Sequence, residues 1–101
     1  MAVTSEGSKD DNSLTITVTG RFDFSVHEAF RKAYDGQVDT GAKVVVDMAG
    51  VEYMDSSALG MLLLLREHVG EDQADVRLIN GNSEIQNILQ VSNFGELFKM
   101  E

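Results

Sequence analysis

The 101-residue chain contains no cysteine, no proline and no tryptophan. Without cysteine there is neither a disulfide framework nor a thiolate metal site. Without proline, the ends of helices and strands are marked by nine glycines, helped by Asn, Asp and Ser. Basic residues are scarce: 8 Lys and Arg stand against 17 Asp and Glu, a formal charge of −9. They form no cluster, which argues against a nucleic-acid surface and against an anionic membrane surface. The acidity is spread along the chain. It suits a solvated surface, and it equally suits a protein partner with a basic face. Long apolar runs are also missing. The longest, Ala58 to Leu65, falls well short of the ~20 residues of a membrane helix. "MAVTSEGSKDDNS" shows no basic segment followed by an apolar run, so no secretory signal is read there and a cytoplasmic location is expected.

What is present fits one domain over residues 1–101, with a single modest core. "EGSKDDNS" reads as a polar turn between two short strands. "LTITVTG" alternates, with Leu14, Ile16 and Val18 on one face and Thr15, Thr17 and Thr19 on the other, and Gly20 ends it. From Ser25, a plausible N-cap, the period becomes helical through Val26, Phe30 and Ala33, with Ala29 and Tyr34 beside them, to about Gln37. "KVVVDM" is a continuous β-branched run and predicts a central strand covered on both faces. A helix after Ser57 runs to about Val69 and stops near Gly70. "ADVRLIN" is a further strand carrying Val76 and Leu78. "NGNSEIQNILQV" predicts a turn, a cap at Asn82 or Ser83, and an amphipathic helix carrying Ile85, Ile88 and Leu89. "NFGELFKM" reads as a short strand or a last helical turn. The order β-β-α-β-α-β-α defines an α/β fold with at least partly parallel pairing, its helices laid against the sheet by right-handed crossovers.

One stretch stands out. "YMDSSALGMLLLL", residues 53–65, places Asp55, Ser56 and Ser57 between the central strand and an apolar helix. Strand-to-helix turns of this kind often hold functional sites. A helix start offers free N–H groups and a partial positive charge, which suit an oxygen-bearing side chain or a phosphate. The plainer reading is a serine N-cap. Against it, a capping box requires Glu or Gln three residues on, and Leu59 and Gly60 stand there instead. Along the helix, Ala58, Leu62, Leu65 and Val69 form one apolar stripe. Met61 and Leu64 lie elsewhere, towards His68. Either the helix is buried all round, or these two belong to an exposed surface awaiting a partner.

Nothing in the sequence arranges catalysis. A serine nucleophile needs a base within ~3 Å, and His68 lies roughly 18 Å from Ser56 along a straight helix. No sequence feature brings His27 closer. The nucleophile elbow, phosphate loop, dinucleotide fingerprint and zinc-helix motifs are all absent. Asp23 and Asp55 could form an acid–base pair, but scattered aspartates usually cap or face solvent.

These segments resemble the STAS domains of bacterial anti-sigma factor antagonists, most closely the subgroup of proteobacterial partner-switching systems. The family pattern is a strand, a loop, then Asp-Ser-Ser/Thr-Gly-Leu-Gly opening an apolar helix. "YMDSSALGMLLLL" is similar to it. "LTITVTGRFDFSVHEAF", "VVVDMAGVEYMDSSALG" and "ILQVSNFGELFKM" resemble further landmarks in the same order. The resemblance implies a mixed sheet with packed helices and a regulator without catalytic activity, cofactor or metal. Unphosphorylated, such an antagonist binds an anti-sigma factor, often a GHKL-type serine kinase. Phosphorylation separates the two, and a PP2C-type phosphatase resets the system. The matching phosphorylated serine is Ser56, with Ser57 a second candidate. Asp23 matches an acidic loop position near the switch. The implied switch surface comprises Asp23, Asp55, Ser57, Ala58, Met61 and Leu64. Ala58 departs from the commoner Gly, which stiffens the helix start by ~1 kcal/mol. The alternative is a ligand-sensing or structural STAS module within a larger assembly, without phosphorylation switching.

Overall fold

The computed structural model describes residues 2–101. β1 (Val3–Ser8) and β2 (Ser13–Phe22) form an antiparallel hairpin. Its turn closes with a hydrogen bond from Asn12 N to Lys9 O (3.2 Å), and Asn12 takes the left-handed conformation that asparagine tolerates. The Asn12 side chain also accepts from Asp39 N (2.8 Å), which ties this turn to the loop that leads into β3.

β3 (Lys43–Met54), β4 (Asp75–Ile79) and β5 (Lys99–Met100) then join in parallel, so the sheet order β1-β2-β3-β4-β5 is the chain order. α1 (His27–Tyr34), α2 (Ser56–His68) and α3 (Ser83–Val91) connect the parallel strands. Each new strand is added in the same direction as the last. Right-handed crossovers therefore lay all three helices on one face. That face holds the core: Ile16, Val18, Val44, Val46 and Leu78 from the sheet meet Phe30, Leu62, Leu65, Ile85 and Leu89 from the helices.

The opposite face is open, which corrects the expectation that "KVVVDM" is covered on both sides. Val44, Val46 and Met48 are buried, whereas Val45 and Asp47 between them are only half-buried. β-branched residues favour any pleated strand, so an unbroken valine run does not by itself report two-sided cover. The open face is polar. Arg77 pairs with Asp75 (3.6 Å) and Glu101 (3.3 Å), and Lys99 pairs with Asp75 (3.3 Å).

Other boundaries also moved. β2 does not end at Gly20 but passes through it to Phe22. Gly20 adopts φ +73° beside a register shift between Gly20 and Arg21, so this glycine marks a bulge inside the strand. α1 stops at Tyr34, short of Gln37, because Asp35 is extended and Gly36 follows at φ +75°. α2 ends as expected, with Gly70 left-handed at φ +104°. Asn82 caps α3 by accepting from Ile85 N (2.9 Å). Both readings of "NFGELFKM" hold in part: a 3₁₀ turn over Phe94–Glu96 leads into β5.

Two neighbouring leucines on α2 test this layering. Leu62 is fully buried and Leu64 is 59% exposed. Leu62→Ala is expected to lower unfolding free energy by 2–5 kcal/mol, roughly the range for a cavity in a packed core, whereas Leu64→Ala stays within about 0.5 kcal/mol. Urea denaturation of the two variants checks the difference.

Candidate functional site

The site begins with strand register. Phe22 on β2 pairs with Met54 on β3, so Asp23 and Asp55 leave the sheet side by side at the carboxyl ends of parallel strands. Sites in open α/β sheets form at this edge. Each aspartate opens the same local motif, Asp-X-Ser. Asp23 has φ −137°, ψ −171° and Asp55 has φ −129°, ψ −172°. Asp23 Oδ1 accepts from Ser25 N (3.0 Å) and from the Ser25 hydroxyl. Asp55 Oδ1 accepts from Ser57 N (3.0 Å) and from the Ser57 hydroxyl. The first motif opens the 3₁₀ turn Phe24–Val26 that feeds α1, and the second opens α2.

The caps are thus aspartates. Ser25 is not the cap of the first helix, and neither Ser56 nor Ser57 caps the second. A carboxylate oxygen takes a backbone N–H and a hydroxyl together, and its charge is favoured at the positive end of a helix. The two serines of the motif are consequently unlike. Ser56 occupies the first helical position, is exposed, and has no hydrogen-bond partner for its hydroxyl among the described residues. Ser57 is half-buried, with its hydroxyl held by Asp55.

The expected switch surface divides in the same way. Asp23, Asp55 and Ser57 come together at one edge. Ala58, expected on that surface, is instead fully buried and belongs to the core, because position 58 lies on the same helical stripe as Leu62 and Leu65. Met61 is 7% exposed and Leu64 is 59% exposed, so the helix is neither buried all round nor open along that whole side. Both residues border a groove of about 740 Å³ between α1 and α2. Phe24, Phe30 and Tyr34 form its other wall, and Ser57 stands at its end. The Phe24 ring stacks on His27 at 4.0 Å, and Tyr34 meets His68 at 5.0 Å. Burial holds the Tyr34 phenol above its ordinary value of 10.0. Sequence reading missed this groove, although Phe24, His27, Phe30, Arg31 and Tyr34 recur at helical spacing and could have revealed its wall.

A further contact was also missed. Arg21 Nε donates to Asp23 Oδ2 (3.1 Å), and its guanidinium lies 4.1 Å from the centre of the Tyr53 ring. Arg21 and Tyr53 are register partners on β2 and β3, which the sequence does not show. Hydrogen bonds from Ser25, first its hydroxyl and then its backbone N–H, hold the Asp23 carboxyl below its ordinary value of 3.8, with Arg21 adding to the effect. A folded-state pKa that is depressed favours folding above the unfolded value and loses that contribution as pH falls through the folded one. The Asp23 cap thus acts at full strength above about pH 4 and fails only in stronger acid.

Neither imidazole hydrogen-bonds to Ser56 or Ser57 among the described residues. His27 Nδ1 faces Phe24 O at 3.0 Å, and His68 packs towards Tyr34. The two carboxylates of the possible acid–base pair are each engaged in their own cap. Among the described residues no group of three His, Cys, Asp or Glu side chains is placed to hold a metal ion. Among the described residues no helix is long and apolar enough to cross a membrane.

A five-stranded mixed sheet with three helices on one face agrees with the comparisons. The family model described as Mlab, STAS domain, matches residues 6–99. A STAS-domain containing protein of Pseudomonas aeruginosa (strain UCBPP-PA14) is 49% identical over 100 residues, covering 99% of each chain. The chain belongs to the STAS domain family. Among solved structures, the anti-sigma factor antagonist SpoIIAA in its unphosphorylated form superposes with TM-score 0.72 at 21% identity, covering 99% of this chain and 87% of that one. The Bacillus cell fate determinant SpoIIAA in the phosphorylated form gives 0.68 at 19% identity, covering 99% and 91%. A sulfate transporter family protein from Wolinella succinogenes gives 0.67 at 14% identity, covering 92% and 80%. At these identities the three structures share the fold with this chain.

Two measurements check the site. Asp55→Ala is expected to lower stability by about 1 kcal/mol through loss of the α2 cap, while Ser56→Ala leaves the urea midpoint almost unchanged. Ser25→Ala is expected to raise the Asp23 ionisation towards 3.8, read by carboxyl carbon NMR during an acid titration.

Proposed function

We propose that this STAS domain is a non-catalytic anti-sigma factor antagonist of a partner-switching pathway, controlled by phosphorylation at Ser56. In this reading the unphosphorylated form binds an anti-sigma factor that is itself a serine kinase. Phosphate on Ser56 releases that partner, and a PP2C-type phosphatase restores binding. The observation that carries the reading is the contrast between the two serines. Ser56 presents a free hydroxyl to solvent on a rigid helix start, whereas Ser57 is tied to Asp55.

The physical chemistry supports a local switch. A phosphoserine adds about −1.5 to −2 charges. At the first turn of α2 the free N–H groups and helix dipole tolerate that charge. The scaffold beneath, with Ala58, Leu62 and Leu65 fully buried, need not rearrange. A docked partner would meet a bulky dianion beside Asp55 and Asp23. The docking surface in this reading extends from Asp23, Asp55 and Ser57 along the groove past Met61 to Leu64. The relation to SpoIIAA, an antagonist solved in both unphosphorylated and phosphorylated forms, lends general support.

Pull-downs from the native cell with Ser56→Ala and Ser56→Asp baits test the reading. Ser56→Ala is expected to capture the partner constitutively. Ser56→Asp is expected to bind about a hundredfold more weakly, a loss of ~2.8 kcal/mol. Equal capture by both baits refutes the switch and favours a STAS module that is a fixed part of a larger assembly.

A further inference from the structure

Asp23 and Asp55 leave the sheet at its carboxyl edge, and among the described residues one basic side chain is placed there by topology. The chain has eight basic residues. Lys9 lies in the β1–β2 turn and Lys43 opens β3, both at the opposite edge. Arg31 and Lys32 stand in the last turn of α1 and Arg66 near the end of α2, which run back towards that opposite edge. Arg77 and Lys99 pair with Asp75 on the open face. Arg21 remains: among the described residues it is the one basic side chain near the carboxyl ends of β2 and β3, since Lys43 and Arg66 stand at the far ends of β3 and α2.

Arg21 is also easily released. Its ion pair with Asp23 is exposed, with 64% of the arginine side chain accessible, and such pairs contribute little to stability. The Asp23 cap does not depend on it, because Oδ1 holds Ser25 while Arg21 uses Oδ2. Reach is adequate. Arg21 pairs with Tyr53 on the adjacent strand, about 4.8 Å away. Ser56 follows Tyr53 by three residues, at most about 11 Å of chain. Because the chain turns into α2 at Asp55, the Cα atoms of Arg21 and Ser56 are at most about 12 Å apart, a span that an extended arginine and a phosphoserine bridge between them.

We propose that Arg21 is the internal clamp of the phosphorylated state: it leaves Asp23 and Tyr53 and pairs with the phosphate on Ser56. The inference rests on the phosphorylation of Ser56 proposed above. A guanidinium binds a phosphate dianion through two parallel charge-assisted hydrogen bonds, a stronger contact than its exposed single bond to a carboxylate. Its departure uncovers the Tyr53 ring and leaves Asp23 Oδ2 to solvent. Phosphorylation therefore alters the docking edge in two ways: it adds a bulky anion, and it removes the cation and exposes an aromatic ring where a partner had met Arg21.

The test installs phosphoserine at position 56 during synthesis, so that it needs no kinase. The second ionisation of the phosphate is followed by phosphorus NMR in the parent, Arg21→Gln, Arg21→Lys and Lys32→Gln proteins. Lys32→Gln removes one charge from the far end of α1 and controls for net charge. Arg21→Gln is expected to raise the phosphate pKa by about half a unit or more, Arg21→Lys by less, and Lys32→Gln not measurably. The Tyr53 ring resonances are expected to shift on phosphorylation in the parent and to stay still in Arg21→Gln. An unchanged phosphate pKa in a folded Arg21→Gln protein overturns the clamp. Failure of the native kinase to label Ser56 overturns the phosphorylation reading instead, and leaves the clamp measurement standing.

Discussion

Everything at the site follows from the parallel pairing of β2 with β3. Because Phe22 stands opposite Met54, the two strands release their chains at one level, and each chain turns at once into a helix through an aspartate. The carboxylates fix those turns by gathering a backbone N–H and a hydroxyl. Displacing the register by two residues would leave the motifs intact in sequence but separate them in space. The site is therefore a property of the sheet as much as of the Asp-Ser-Ser triplet.

The same pairing explains the molecule's two-sidedness. Strands added always in one direction, with right-handed crossovers, leave no helix for the second face. That face carries Asp75, Arg77 and Lys99 in mutual ion pairs, and the apolar residues are concentrated on the other. α2 spans the middle of the dry layer. Its buried stripe of Ala58, Leu62 and Leu65 fixes it to the sheet, while Ser56 at its start and Leu64 on its flank stay exposed.

Much of this was legible in the residues. Alternation in "LTITVTG", the glycine at position 70 and the Asn82 cap each dictated a local outcome that tertiary packing did not overrule. The Asp-Ser-Ser turn was legible as the junction between the central strand and an apolar helix, because its polar residues stand directly before an uncharged run. What was not legible depended on neighbours. Gly20 inside a strand and Gly20 ending a strand are the same letter, and only pairing with β3 separates them. Val45 is as apolar as Val44, and only the side taken by the helices decides which is buried. The capping role went to Asp55 and not to a serine because the geometry lets one oxygen bind twice, which composition cannot reveal. Ala58 stands at a position of the family pattern where Gly is commoner, and it faces inward with the stripe of Leu62 and Leu65, since helical phase sets its direction. The contact of Arg21 with Tyr53 joins residues 32 positions apart, beyond the range of any local pattern.

One consequence of the paired caps concerns acid stress. Asp23 is held ionised well into acid by the hydroxyl and amide it gathers, and no imidazole contacts the serine turn among the described residues. A fall in ambient pH within the range a cell survives therefore leaves Asp23 charged. Proton uptake gives the Asp23 turn no second charge state across that range.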